Sequence, residues 1–236
     1  MDTQARNLAP VLVELLQKKP SSSRLLVGLF GIPASGKSTF AVRLTQYTNE
    51  ILESQPDNTD KVALVGLDGW HLTRAQLDQF PDPKLAHDRR GIHWTFDSPG
   101  YLQFVKKLQE EITPSSPIIF APSFDHALKD PSSDAVAIHP HHRIVVIEGL
   151  YAALCVDSWA DAGSLLDERW YLRVDIEEAQ RRLVKRHVVS GVAKDHEEAV
   201  WRAEENDMPN GRFLIANMLE PTRIIESLDD PVFVLA

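Results

Sequence analysis

The chain has 236 residues and a single cysteine, Cys155, and this shortage narrows the kinds of protein it can be. One thiol can form neither an internal disulfide nor a metal site of the Cys-x-x-Cys type. Such a composition is typical of a reducing, intracellular compartment. With 43% hydrophobic residues, the chain can form one large domain with a substantial core without disulfides or metals. We therefore expect a single domain over residues 1–236.

Basic residues are also in short supply. The chain carries 25 Lys and Arg against 34 Asp and Glu, which gives a formal net charge of −9. A surface that binds nucleic acid or an anionic membrane needs a positive patch to displace counterions. The composition therefore argues against both partners and leaves room for a local basic pocket.

Long apolar runs are missing as well. The stretch from Leu8 to Leu16 is interrupted by Glu14 and preceded by Asp2 and Arg6, so it fits neither a signal peptide nor a membrane span. Its leucines and valine recur at helical spacing, which predicts an amphipathic N-terminal helix within residues 1–20. No other segment is long enough to cross a bilayer, and we expect a cytoplasmic protein.

What the chain does contain is a phosphate-binding pattern. Residues 31–38 match Gly-x4-Gly-Lys-Ser and follow the apolar run Leu25 to Phe30 directly. A strand that turns through such a loop into a helix points backbone amides at one spot, where a phosphate chain binds. Lys37 would reach the β- and γ-phosphates and Ser38 would bind Mg²⁺. The predicted ATP-binding residues are Gly31, Pro33, Ala34, Ser35, Gly36, Lys37, Ser38 and Thr39.

Further apolar runs predict the fold class. They occur at residues 62–67, 118–121, 144–147, 170–174 and 232–235, separated by helical or loop material. Near-continuous apolar runs are typical of buried parallel strands with helices on both faces. The sequence thus predicts an α/β protein with a mostly parallel sheet. Residues 80–100 and 125–142 are predicted to be long loops, and a loop of that length is often functional.

Two acidic residues stand where predicted strands end. Asp68 follows residues 62–67, and Glu148 follows residues 144–147. Ligands of open α/β sheets bind beyond the carboxyl ends of the strands, so both acids are expected beside the phosphate loop. Asp68 suits a base or a Mg²⁺ ligand, and the alternative is a turn-forming Asp-Gly pair. Glu148 suits Mg²⁺, and the missing Asn-Lys-x-Asp motif favours ATP over GTP.

A predicted helix over residues 175–190 carries Arg182 and Arg186 one turn apart. Facing the phosphates, they would offset the charge on the transferring group, whereas the alternative is a solvated basic face. Gly191 and the polar residues after it favour a mobile lid over about residues 177–210.

Elsewhere, His139, His141 and His142 are interpreted as a solvated loop, and Trp94 as either core or a stacking surface for a substrate.

Five motifs in order resemble the uridine kinase, phosphoribulokinase and pantothenate kinase superfamily. They are residues 31–38, the Leu-Asp-Gly-Trp-His-Leu of 67–72, the Arg-Arg-Gly-Ile-His-Trp-Thr-Phe-Asp of 89–97, the Pro-Ser-Phe-Asp-His of 122–126, and the Val-Ile-Glu-Gly-Leu of 146–150. The greatest similarity is to the uridine-kinase-like ATP-dependent kinases of fungi and bacteria. This resemblance implies a P-loop NTPase fold with a helical lid.

The resemblance also implies roles. Asp68 would activate the acceptor hydroxyl, Lys37 with Arg182 and Arg186 would stabilise the transferring phosphoryl group, and Ser38, Glu148 and Asp68 would organise Mg²⁺. The substrate would lie against residues between the second strand and the fourth motif, with residues 80–100 as a substrate loop. These residues are His71, Arg90, Trp94, Asp97, Phe124, Asp125 and His126.

Two departures fall in the acceptor region. Asp68-Gly69-Trp70-His71 stands where uridine kinases carry Asp-Ser-Phe-Tyr, and His93 stands where pantothenate kinases carry Pro. The expected activity is therefore transfer of the ATP γ-phosphoryl group to a nucleoside, a sugar or a pantothenate-like acceptor. The alternative is a regulatory P-loop ATPase with no small-molecule acceptor. The sequence leaves the acceptor and a homodimer open.

Overall fold

The computed structural model describes residues 1–113, 115–125 and 127–228. Its strands are β1 (Leu25–Phe30), β2 (Lys61–Gly66), β3 (Ile119–Asp125), β4 (Asp130–Ile138), β5 (His142–Glu148), β6 (Glu168–Arg173) and β7 (Arg223–Glu226). Its helices are α1 (Asp2–Gln17), α2 (Lys37–Glu53), α3 (Arg74–Leu77), α4 (Pro83–Asp88), α5 (Ser98–Leu108), α6 (Asp157–Ser164), α7 (Ile176–Val189), α8 (His196–Arg202) and α9 (Met208–Asn217).

Five strands form one parallel sheet in the order β2-β5-β1-β6-β7. Every residue of the central strand β1 is buried, as expected for a parallel strand covered on both faces. The predicted α/β fold class is thus confirmed. Because all five strands run the same way, the residues that follow them meet at one edge of the sheet.

Helices cover both faces of this sheet. On one face, α1 and α2 pack against side chains of β1, β5 and β6, including Val27, Val146 and Trp170. The predicted N-terminal helix is therefore present as α1. On the other face, α5, α6 and α7 enclose a second core around Tyr101 and Trp159. This packing fixes the rigid base from which the loops at the carboxyl edge project.

Two strand predictions were wrong. The run predicted at residues 118–121 lies at the start of β3, which begins at Ile119 and pairs antiparallel with β4 in a separate two-stranded sheet. Residues 125–142, predicted to be a loop, contain all of β4. The hairpin is partly exposed, with Phe120 of β3 at 48% exposure. β4 begins with Asp-Pro-Ser-Ser-Asp and has only a short apolar run at residues 135–138, so it carries a weak strand signal. The described sheet instead gains β7, and the strand predicted at residues 232–235 lies outside the described residues.

The segment over residues 80–100 is built from short helices. It contains α4, a 3₁₀ turn at His93–Thr95 and the start of α5, and Asp82 and Asp97 cap the N-termini of α4 and α5. Over residues 177–210, the predicted helix is present as α7 with Asp175 as its N-cap, and α8 and a π-helical turn at Ala203–Asp207 follow it. Within the described ranges, no helix is long and apolar enough to cross a membrane.

Candidate active site

The phosphate loop joins β1 to α2 through backbone conformations that suit glycine. Gly36 precedes α2 with a φ of 85°, in the left-handed region that side chains disfavour. At Gly31, a Cβ would lie 2.6 Å from the carbonyl oxygen of Leu172 in β6. The two glycines of the motif are therefore required by the turn and by close packing. Lys37, Ser38 and Thr39 then form the first turn of α2, whose free amides face an anion site.

Glu148 ends β5 at the centre of the carboxyl edge. It lies in register with Leu29 of β1 and Gly66 of β2, and its Oε1 accepts a hydrogen bond of 3.2 Å from the Ser38 hydroxyl. Burial raises the pKa of Glu148, which Lys37 and the Ser38 hydroxyl oppose and the Asp68 carboxylate reinforces. The Ser38 hydroxyl therefore contacts Glu148 directly, and the Lys37 and Asp68 charges are near enough to act on the same carboxylate.

The chemistry of this group fits Mg²⁺. Ser38, Glu148 and Asp68 offer hard oxygen ligands, and a cation would offset the cost of burying the Glu148 carboxylate. Mg²⁺ is usually held by one or two carboxylates together with substrate phosphates. Across residues 1–113, 115–125 and 127–228, no cluster of three or more His, Cys, Asp or Glu side chains is arranged to hold a metal by itself. That also applies to the three histidines near residue 140.

Asp68 lies in a 3₁₀ turn, Leu67–Trp70, directly after β2, with its side chain exposed. Two glycines allow the turn to sit there. A Cβ on Gly149 would lie 2.3 Å from Cβ of Leu67, and a Cβ on Gly69 would lie 2.4 Å from the Pro122 carbonyl oxygen in β3. The departure from the uridine kinase pattern at Gly69 therefore has a packing cause, because the hairpin backbone passes over this residue.

Aromatic rings continue from Asp68 into the acceptor region. The ring of His71 lies 3.9 Å from that of Phe96 and 4.9 Å from that of Phe124, measured between centroids. Its Nδ1 is 2.8 Å from the Asp68 carbonyl oxygen. The structure thus brings His71 and Phe124 together beside the turn that carries Asp68. Trp94 is partly buried, and its ring lies 5.7 Å from that of Phe80.

Arg90 connects the predicted substrate loop, residues 80–100, to the β3–β4 hairpin. Its Nη2 donates to the Leu72 carbonyl at 2.7 Å and to Oδ1 of Asp130 at 2.8 Å, and its Nη1 donates to the Lys129 carbonyl. The guanidinium also lies 5.4 Å from the ring centroid of Phe124. In this arrangement Arg90 braces the hairpin, and its contact with a substrate stays a prediction.

Asp97 and Asp125 have their carboxylates engaged by nearby backbone. Asp97 accepts the Gly100 amide at 2.9 Å as the N-cap of α5, and Asp125 accepts the amides of Ala127 and Leu128 at 2.8 and 3.0 Å. The Asp-Ser-Pro-Gly stretch at residues 97–100 is itself a helix-start signal. A structural role is therefore evident for both acids, and substrate binding by them stays a prediction. His126, predicted to bind substrate, lies outside the described residues.

The lid arginines are placed differently from one another. Nη1 of Arg182 donates to the Ser227 hydroxyl at 2.8 Å, and that hydroxyl donates to the Ser35 carbonyl of the phosphate loop at 2.8 Å. Arg182 is therefore held beside the loop. Arg186, one turn further along α7, is exposed. Ser227 was missed by sequence reasoning because no motif surrounds it.

Contacts between the predicted substrate loop, residues 80–100, and the elements that follow α8 were also missed. Arg89 donates through Nη1 to the Glu205 carbonyl in the π-helical turn, and the ring of His93 stacks on that of Phe213 at 4.6 Å. The second departure from the family pattern, His93, therefore packs against α9. Such long-range pairs carry no local sequence signal, since their partners are more than a hundred residues apart.

The three histidines lie at the opposite edge of the sheet from this site. They precede or begin β5, whose far end is Glu148, and the His139 amide donates to Nδ1 of His142 at 2.9 Å. Burial lowers the pKa of His142 to about 4, and the neighbouring His141 and His139 add to this effect. His139 and His141 lie in the turn before β5, in keeping with the predicted loop, whereas His142 begins β5 and is partly buried.

Known proteins are similar to this chain over most of its length, although no family model matches it. An ATP-dependent kinase-like protein of Aspergillus versicolor is 48% identical over 153 residues, which cover 65% of this chain and 89% of that protein. A Schizosaccharomyces pombe protein provisionally named a uridine kinase is 38% identical over 216 residues, covering 92% and 87%. A crystal structure from Silicibacter sp. TM1040, provisionally titled a fructose transport system kinase, superimposes with a TM-score of 0.77 at 28% identity, covering 92% and 98%.

Proposed function

Since this chain belongs to the uridine-kinase-like P-loop kinases, we propose that it transfers the γ-phosphoryl group of ATP to a hydroxyl of a small metabolite. One observation carries the proposal. The Ser38 hydroxyl donates to Glu148 at 3.2 Å, and the charges of Lys37 and Asp68 lie close enough to shift the pKa of Glu148. This supports a site in which a base, a cation and metal ligands act together. A phosphoryl transfer needs that combination of groups.

The nucleotide end of the reaction is assigned to the phosphate loop. Its backbone amides and the N-terminus of α2 would bind the β- and γ-phosphates, and Lys37 would neutralise charge as the γ-phosphoryl group transfers. When bound, Mg²⁺ supplies further neutralisation of the phosphate oxygens, and Ser38, Glu148 and Asp68 are the residues that would hold it. The protein's contribution is mainly positioning and electrostatic stabilisation.

Asp68 is the base in this proposal. Its exposed carboxylate, at the end of β2, would accept the proton of the acceptor hydroxyl. The hydroxyl oxygen then forms a bond to the γ-phosphorus as the bond from that phosphorus to the ADP oxygen breaks. The products are ADP, the phosphorylated acceptor and a proton on Asp68. This assignment requires that the acceptor hydroxyl lies between the Asp68 carboxylate and the γ-phosphate bound at the phosphate loop.

The acceptor is proposed to bind against the rings that follow Asp68. His71, Phe124 and Trp94 offer flat surfaces, which suit a nucleobase or the apolar face of a sugar. Relatives carry names that refer to uridine and to fructose, so both acceptor classes belong in a test. A pantothenate-like polyol is the third class that we propose.

An acceptor screen tests the proposal. ADP formation from ATP and Mg²⁺ would be measured with nucleosides, sugars and pantothenate, and mass spectrometry would detect the phosphorylated acceptor. We expect one class to raise ADP formation at least about tenfold above basal hydrolysis, because the acceptor completes the reaction geometry. Lys37→Met should abolish the increase, whereas Lys107→Met, at an exposed position on α5, should leave it intact. An ATPase that no acceptor stimulates would favour the regulatory alternative.

A further inference from the structure

Ser227 lies where three elements of the structure meet. It follows β7, and its amide donates to the Arg173 carbonyl at 2.7 Å, extending the β6–β7 pairing by one residue. This bond fixes the backbone of Ser227 at the carboxyl edge of the sheet. The side chain is partly buried and lies against the phosphate loop, with Oγ 4.0 Å from the position of a Cβ on Gly36.

The hydroxyl of Ser227 forms one hydrogen bond in each direction. It donates to the Ser35 carbonyl at 2.8 Å and accepts from Nη1 of Arg182 at 2.8 Å. A hydroxyl can donate and accept at the same time, which neither an alanine nor an ammonium group can do. The backbone of the phosphate loop is therefore connected to α7 through a single oxygen atom.

Arg182 has a second anchor on its own helix. Its Nε donates to Oε1 of Glu178 at 2.8 Å, and the two side chains are 22% and 21% exposed. Two anchors on different atoms define the plane of a guanidinium, whose donors lie in a rigid fork. Glu178 holds Nε of Arg182 along α7, and Ser227 holds its Nη1 relative to the phosphate loop.

From this geometry we propose that Ser227 is a positioning residue for Arg182. It holds the guanidinium beside the phosphate loop, where the third phosphate of a nucleoside triphosphate gains from a nearby cation. The role in transfer rests on the proposed function. The role in binding does not, because ATP and ADP differ in that third phosphate whether or not an acceptor exists.

The first test compares affinities for ATP and ADP in the presence of Mg²⁺, by calorimetry. We expect Ser227→Ala to lower the preference for ATP over ADP about tenfold, about 1.4 kcal/mol, because a charge-assisted contact to the third phosphate is weakened. Ser227→Thr retains the hydroxyl and should restore most of the preference. Ser164→Ala is the matched control, since its hydroxyl bonds to the Ala160 carbonyl of its own helix. An unchanged preference in Ser227→Ala would overturn the inference.

The second test combines Ser227→Ala with Arg182→Ala. If Ser227 acts through Arg182, the double variant should be no worse than Arg182→Ala alone. Additive losses would mean that Ser227 acts on the loop by itself, and would overturn the inference. Where an acceptor is found, Ser227→Ala should lower kcat more than it raises the KM for that acceptor. Should no acceptor be found while the two substitutions remain coupled in ATP binding, the proposed function fails and the inference stands.

Discussion

The Ser38 hydroxyl donates a hydrogen bond of 3.2 Å to Oε1 of Glu148, joining the first turn of α2 to the end of β5. One residue comes from the phosphate motif and the other from a strand far along the chain. Their contact explains why a carboxylate is tolerated in a place where burial raises its pKa. If Mg²⁺ binds there as proposed, Glu148 would couple the binding of the metal to the binding of a proton.

The first prediction concerns Glu148→Gln in the absence of Mg²⁺. A carboxyl whose pKa is raised in the folded state favours folding when protonated, and that stabilisation is lost as the pH rises through the raised pKa. At pH 7 to 8 the Gln variant should therefore melt at a higher temperature than the wild type, by about 2–4 °C for each kcal/mol. The difference should shrink as the pH falls toward about 4.3, the usual pKa of Glu.

Thermal melts in a chelator across this pH range measure the effect. Glu111→Gln, at an exposed position, is the control and should track the wild type at every pH. A Gln variant that is less stable than the wild type at neutral pH would contradict the electrostatic interpretation. The same Glu148→Gln protein should bind ATP with a weaker dependence on Mg²⁺, since it has lost a charged ligand.

The second prediction concerns Asp68→Asn. The amide cannot accept the proton of an acceptor hydroxyl, so transfer should fall by about 10² or more. ATP affinity measured without Mg²⁺ should change little, because the loop and Lys37 are untouched and the proposed metal-binding role of Asp68 plays no part there. Rapid-quench measurement of transfer, with calorimetry for ATP binding, separates the two effects. Asp161→Asn, at an exposed position on α6, should leave both unchanged. Undiminished transfer by Asp68→Asn would remove Asp68 as the base.

The third prediction compares two glycines in one short segment. A Cβ at Gly69 would lie 2.4 Å from the Pro122 carbonyl oxygen, whereas a Cβ at Gly66 has nothing within 4 Å. Gly69→Ala must push the hairpin away from the turn, at a cost of about 1–3 kcal/mol. Gly66→Ala should change stability by no more than about 0.5 kcal/mol.

Denaturant unfolding of the two variants tests this difference, and the acceptor gives a second readout. The KM for the acceptor should rise in Gly69→Ala more than the KM for ATP does, because the hairpin contacts the predicted substrate loop through Arg90. Equal stability of the two alanine variants would show that the turn and the hairpin are not in the tight contact described.

The nucleotide side of the site could be predicted because its signals are local. The order strand, glycine-rich turn and helix is contiguous from Leu25 to Glu53, and it fixes where Lys37 and Ser38 stand. Asp68 and Glu148 could be added because residues that follow parallel strands share one edge. Each of these predictions relied on residues that are neighbours in the sequence.

The acceptor side could not be predicted in the same way. β4 is partly exposed and has only a short apolar run at residues 135–138 after a polar start. β7, nearer the phosphate loop, was missed because it is only the four residues Arg223–Glu226. The charged groups singled out there can satisfy backbone or one another, as Asp97 does at the start of α5 and Arg90 does with Asp130. Whether such a side chain binds a substrate or stabilises the fold depends on residues far away in the sequence. The sequence alone does not show which of them lie close in space.

The separation of the β3–β4 ribbon from the five-stranded sheet has an evolutionary consequence. Its hydrogen-bond ladder belongs to another sheet, so its tip can change without shifting β1, which leads to Lys37, or β5, which ends in Glu148. Selection for a new metabolite can therefore act on the ribbon while the phosphate chemistry is inherited unchanged. Kinases that share one ancestor could in this way differ in the acceptor they bind while keeping the same phosphate-binding residues.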